Sequence, residues 1–257
     1  MKNTSVKVNR IMAHLVAYYP SGPESEKAAK ALADGGVSFL EIQFPFSDPS
    51  ADGPAIEHAN SEALKAGFST EKGLELIRNI SSYTDVPIYI MGYANTFFVQ
   101  GIQSFLTRLK EAGAEGIIVP DLPPGSDEGL YKAARQVGIN AVPVIIAGTE
   151  KERLETVLSV NPKYVYVALR RGITGKESRL GPWQAEFLEN IEKTGIKALG
   201  GFGIQSYEAA KEVNKHAYAA VVGSEIVRTI DKTLELKDDI YTIVNRKARD
   251  LVYGENK

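Results

Sequence analysis

The feature that most constrains this chain is a rhythm. Short runs rich in apolar and β-branched residues alternate with segments of helical periodicity. The runs predict strands at 12–19, 37–44, 86–94, 116–121, 141–147, 164–170, 196–203 and 218–223. Between them, Ile102, Phe105, Leu106 and Leu109 fall at i, i+3, i+4 and i+7, one face of a helix. Leu154, Val157 and Leu158 repeat the pattern behind "TEKE" (149–152), which reads as a capping box with Thr149 and Glu152 serving the first amides. Gly35-Gly36 and Gly113 stand where helices end. Such alternation demands parallel strands with helices packed outside. About eight units in a chain of this length predict an α/β fold, a single (β/α)8 TIM barrel forming one domain over 1–257. An open doubly wound sheet would carry a glycine-rich nucleotide fingerprint after its first strand, and "YYPSGP" (18–23) has none.

In a barrel of this kind the chemistry collects at the C-terminal ends of the strands. The stretch "FLEIQFPFSDPSADG" (39–53) places a carboxylate, Glu41, inside an apolar run and a second, Asp52, beyond a rigid turn. Side chains alternate along a strand, so Leu40, Ile42 and Phe44 face the helices while Phe39, Glu41 and Gln43 face the barrel interior. A buried carboxylate is costly unless paired. Glu41 is either neutralised by a buried Arg or Lys or held there for proton transfer. Two glycine motifs, "LGGFGIQS" (199–206) and "VVGSEIV" (221–227), end the seventh and eighth strands and open helices. That is the usual phosphate position of the fold, where amides at helix N-termini meet an anion. Read singly, each motif also suits an ordinary strand end. The segment "VALRRGITGKES" (167–178) has the composition of either a closing loop or a solvated one.

The formal charge of −2 leaves no basic footprint for nucleic acid. The absence of cysteine excludes disulfides and thiolate chemistry and fits a cytoplasmic setting. "MKNTSVKVNR" lacks the apolar core of a signal peptide, and the apolar stretch 11–19, interrupted by His14, is too short to span a membrane. His14, His58 and His216 lack metal-ligand spacing, so no metal is expected. Trp183, at the head of a helix with Phe187, Leu188 and Ile191, is expected to pack rather than to bind ligand.

Taken in order, "LEIQFPFSDPSADGPAI", "IMGYANTFFVQGI", "EGIIVPDLPP", "GITG", "GGFGIQS" and "VVGSEIV" resemble the tryptophan synthase alpha subunit family along nearly the whole chain. The first of these is the most family-specific; the glycine motifs are common to many phosphate-binding barrels. The resemblance implies retro-aldol cleavage of indole-3-glycerol phosphate to indole and glyceraldehyde 3-phosphate. By it, Glu41 is the catalytic acid/base and Asp52 the second catalytic carboxylate. Tyr166, Thr174, Tyr93 and Met91 are expected beside the substrate, and Gly175, Gly203, Gly223 and Ser224 around its phosphate. It further implies no cofactor in this chain. The expected partner is a beta subunit carrying pyridoxal phosphate, in an alpha-beta-beta-alpha tetramer. The apolar pair Phe97-Phe98 is expected on an exposed rim facing that partner.

Several positions depart from the family pattern. Gln43 stands where the family has a small glycine, and it shares a face with Glu41, so its amide is expected to donate to Glu41. His14 takes a place usually held by an apolar aromatic, "YYP" replaces Gly-Asp-Pro, and Arg170-Arg171 precede "GITG". These departures leave open a free-standing indole-glycerol phosphate lyase, or a barrel of impaired activity kept as an allosteric partner of beta. A sugar-phosphate isomerase or epimerase on the same scaffold has less support, since such epimerases generally use metal-binding histidines.

Overall fold

The computed structural model describes residues 8–169, 180–201 and 203–255. Nine strands are found there: β1 (Ile11–Val16), β2 (Phe39–Gln43), β3 (Ile88–Met91), β4 (Gly116–Ile118), β5 (Asn140–Val142), β6 (Val144–Ile146), β7 (Tyr164–Ala168), β8 (Lys197–Gly201) and β9 (Ala219–Val222). Every pairing is parallel, in the order β5-β4-β3-β2-β1-β9-β8-β7-β6.

The expected fifth strand, 141–147, is divided. Proline has no amide hydrogen to give a ladder, and Pro143 separates β5, which pairs with β4, from β6, which pairs with β7. The carbonyl of Pro143 still accepts from the Tyr166 amide at 2.9 Å, so the sheet curls round to a nearly closed barrel through that residue. Counted with its proline, this is one strand bent at a corner, and the barrel has its expected eight strand positions. The other predicted strands are present but shorter at their ends.

The alternation holds on β2. Leu40, Ile42 and Phe44 join the large core between sheet and helices. Phe39 joins a separate interior cluster with Met12, Tyr89, Met91, Ile118, Tyr164, Leu199 and Val221. Helix ends follow local chemistry: Ser21 and Ser69 cap the helices Gly22–Asp34 and Thr70–Tyr83, and Gly36 and Gly113 take positive φ just past helix C-termini. The "TEKE" capping box does not form. The helix Lys151–Ser159 has Glu150 at its N-cap without a side-chain bond, and the Thr149 hydroxyl donates backwards to the Ile146 carbonyl at 2.6 Å. The tight turn after β6 offers Thr149 a nearer acceptor than the helix offers donors. Trp183 does not pack as expected: it is half exposed, while Leu188 and Ile191 on the same helix are buried. Of the apolar rim pair only Phe98 is exposed. Phe97 is fully buried against Phe105, while Phe98, turned about 100° round the helix from it, reaches solvent. Among the described residues, no helix is long and apolar enough to cross a membrane.

Candidate active site

The C-terminal mouth of the barrel holds one cavity, and most of the expected site residues meet in it. His14, Glu41, Asp52, Met91, Tyr166, Gly203, Gly223 and Ser224 all line it, with Ile56, Ile118, Val144 and Val221 as apolar walls. Thr174 and Gly175, with Arg170-Arg171, lie outside the described residues.

The acidic end is built from β1, β2 and the turn after β2. Glu41 and Asp52 are both buried. Among the described residues no Arg or Lys neutralises Glu41; its charged neighbour there is His14, directly across the β1–β2 ladder, with Nδ1 at 3.5 Å from Glu41 Oε2. Burial opposes a charge on His14, but the Glu41 carboxylate, helped by Asp52, outweighs it and raises the imidazole above its ordinary pKa. Asp52 is pushed up by burial, an effect that Gln43, His14 and Tyr93 partly offset. The Tyr166 phenol is raised well above its ordinary value, by burial and by the Glu41 and Asp52 carboxylates. Its ring lies where the strand beside it has Gly201, and a Cβ there would sit 2.5 Å from the Tyr166 hydroxyl.

Gln43 does not serve Glu41. Its Nε2 donates to Asp52 Oδ2 at 2.7 Å and to Asn60 Oδ1 at 3.3 Å. One residue after Glu41 on the same face is already one pleat higher, level with the turn that carries Asp52. Asp52 also accepts from the Tyr93 hydroxyl at 3.2 Å, and that oxygen accepts from the Ala51 amide at 3.0 Å. Tyr93 thus holds the turn from behind and does not line the cavity. It is placed to position Asp52 rather than to touch substrate.

The opposite end is formed by the loops after β8 and β9, at Gly203, Gly223 and Ser224. Gly203 has φ +79°, a left-handed conformation that glycine adopts without strain. Gly223 precedes the helix Ser224–Leu236, whose first-turn amides supply the positive end of a helix dipole. Sequence reasoning missed Arg228, which also lines the cavity and pairs with Glu225 at 3.0 Å. Its signal was its place one turn into the helix opened by "VVGSEIV". Among the described residues, no cluster of three or more His, Asp or Glu could hold a metal ion.

One cavity therefore joins two buried carboxylates to a glycine-lined helix N-terminus. The family model described as tryptophan synthase alpha chain matches residues 2–252. The chain belongs to the tryptophan synthase alpha chain family. A tryptophan synthase alpha chain from Helicobacter hepaticus is 36% identical over 230 residues, covering 87% of this chain and 86% of the relative. One from Methanosarcina barkeri is 33% identical over 249 residues, covering 96% and 92%. Among solved structures, tryptophan synthase from Mycobacterium tuberculosis superposes with a TM-score of 0.83 at 25% identity, covering 95% of this chain and 94% of that one. Membership fixes the alpha-chain barrel as the fold.

Proposed function

We infer that this chain carries out its family's reaction, cleaving indole-3-glycerol phosphate to indole and glyceraldehyde 3-phosphate. The observation that carries the assignment of residues is the meeting of Glu41, Asp52 and Tyr166 with Gly203, Gly223 and Ser224 in one cavity.

Bond cleavage between indole C3 and the first glycerol carbon needs two proton movements. Glu41 in its acid form delivers a proton to C3, which leaves positive charge on the indole ring. Asp52 accepts the ring N–H and stabilises that charge. Among the described residues both side-chain hydrogen bonds it accepts fall on Oδ2, which leaves Oδ1 to meet the ligand. The carboxylate left on Glu41 then takes the proton of the adjacent hydroxyl. The C–O bond becomes a carbonyl, the C–C pair returns to the ring, and Glu41 regains the proton it gave. Tyr166 packs beside both carboxylates, and Met91 and Ile118 face the ring. The amides at Gly203, Gly223 and Ser224 take the phosphate; Gly175 and Thr174, which the family resemblance adds to the substrate contacts, lie outside the described residues.

The alpha chain family carries no cofactor and pairs with a beta subunit, which holds pyridoxal phosphate. Exposed Phe98 and Val99, on the helix Ala94–Gln100, offer apolar surface for that partner in an alpha-beta-beta-alpha assembly. Residues 1–257 are read as a single cytoplasmic barrel domain. The deciding experiment is indole release from indole-3-glycerol phosphate, with and without a beta subunit. Release in both conditions, faster with beta, is expected; no release in either would overturn the reading.

A further inference from the structure

His14 is a buried group with one nitrogen accounted for and the other not. Nδ1 faces Glu41 at 3.5 Å, whereas Nε2 is buried with no hydrogen-bond partner among the described residues. A buried polar atom without a partner is costly, and a leucine or phenylalanine would fill the same space without that cost. The side chain lines the cavity, where a ligand can supply the missing partner.

The topology says which part of the ligand. β1 lies between β2, which carries Glu41, and β9, which leads into Gly223. A Cβ at Gly223 would stand 3.7 Å from His14 Cβ and 3.8 Å from its Cγ. The imidazole therefore fills the span from the proton-carrying carboxylate to the anion-binding amides. On the reading above, a ligand held at both ends puts its hydroxylated three-carbon chain in this span. Among the described residues, the other titratable and charged groups lining the cavity are Glu41, Asp52, Tyr166, Glu225 and Arg228. The carboxylates of Glu41 and Asp52 favour the charged imidazole, in which both nitrogens are donors.

We propose that His14 is a further catalytic residue: its Nε2–H donates to a hydroxyl of the glycerol chain while its Nδ1–H stays with Glu41. The hydrogen bond fixes the chain against the carboxylate that takes the hydroxyl proton, and makes the site specific for a hydroxylated phosphate ester over an aliphatic one.

The proposal rests on the lyase reading but is tested apart from it, by calorimetric binding of glycerol 3-phosphate and propyl phosphate to the intact chain. The unmodified protein is expected to prefer glycerol 3-phosphate by about tenfold, the size of a hydrogen bond from a charged donor. His14→Phe should abolish the preference while keeping its affinity for propyl phosphate. His14→Gln, which returns a neutral donor at similar reach, should restore much of it. In the unmodified protein the preference should fade as pH rises and His14 loses its proton; in His14→Gln it should not. An undiminished preference in His14→Phe overturns the proposal. If that variant binds neither probe, a His14→Gln protein that binds both equally overturns it instead. Indole release by the unmodified chain is scored separately, so loss of the preference leaves the lyase reading standing. Absence of release with the preference intact overturns only the lyase reading.

Discussion

The barrel interior has two layers built from the same strands, and they are chemical opposites. In the lower layer β2 contributes Phe39, β3 Tyr89 and β7 Tyr164, which meet edge to face at 5.6–6.0 Å between centroids. Tyr218 joins them, and Arg10 and Lys197 sit over its ring. Two residues further along the same strands stand Glu41, Met91 and Tyr166, with His14 two beyond Met12 on β1. There the interior is titratable, and the buried His14 Nε2 lacks a partner among the described residues. The lower layer closes the barrel by filling it with aromatic area. The upper layer gives up such packing to hold charges that a ligand must satisfy. A change of two residues along a strand keeps the side-chain direction and changes only the depth, so stability and chemistry are separated by depth alone.

The largest effect should come from the upper layer. Glu41→Gln keeps shape and removes the mobile proton, and should slow indole release by about a thousandfold or more. Its denaturation midpoint should stay close to that of the parent. Asp52→Asn should cost about a hundredfold, because the amide accepts the ring N–H without offsetting its charge. Phe39→Ala should do the reverse: a loss of about 3–5 kcal/mol in denaturant unfolding, with near-normal turnover in the protein that remains folded. Gln43→Leu is expected to slow turnover by about tenfold through a misplaced Asp52, the order of one lost charged hydrogen bond. Added to Asp52→Asn it should cost little more, since the two residues act through one bond. The smallest effect is a slope. Asp52 has a raised pKa, so the folded state holds its proton above the pH at which the unfolded chain releases it. Stability from that group is present below the ordinary carboxylate range and is lost as pH rises through the folded value. Asp52→Asn should therefore gain on the parent in thermal midpoint as pH is raised, and a gap that widens on acidification would contradict this.

What could be read from the sequence was what depends on near neighbours. Alternation along 39–44 placed Glu41 inward and Leu40 outward, and the glycine motifs after the last two strands put Gly203, Gly223 and Ser224 at the same mouth. What could not be read depends on register and depth. His14 matters because β1 and β2 pair in a register that sets it against Glu41, and nothing in "IMAHLVAYY" announces that. Gln43 shares a face with Glu41, but its amide reaches Asp52, because a side chain one pleat higher meets the turn and not its strand neighbour. Periodicity marked the apolar face around Phe97 and Phe98 without telling which ring turns inward. Pro143 was visible as a residue, but its effect needed the neighbours: it ends one ladder and lends its carbonyl to the next.

The central claim is that substrate lies along the upper layer, from Asp52 past Glu41 and His14 to the loop at Gly223. The most direct measurement is the crystal structure of the Glu41→Gln variant soaked with indole-3-glycerol phosphate. The account predicts the indole nitrogen within hydrogen-bond distance of Asp52, the glycerol hydroxyls between residue 41 and His14, and the phosphate on the amides of Gly203, Gly223 and Ser224. Phosphate bound elsewhere, or an indole ring at the glycine end, would contradict it.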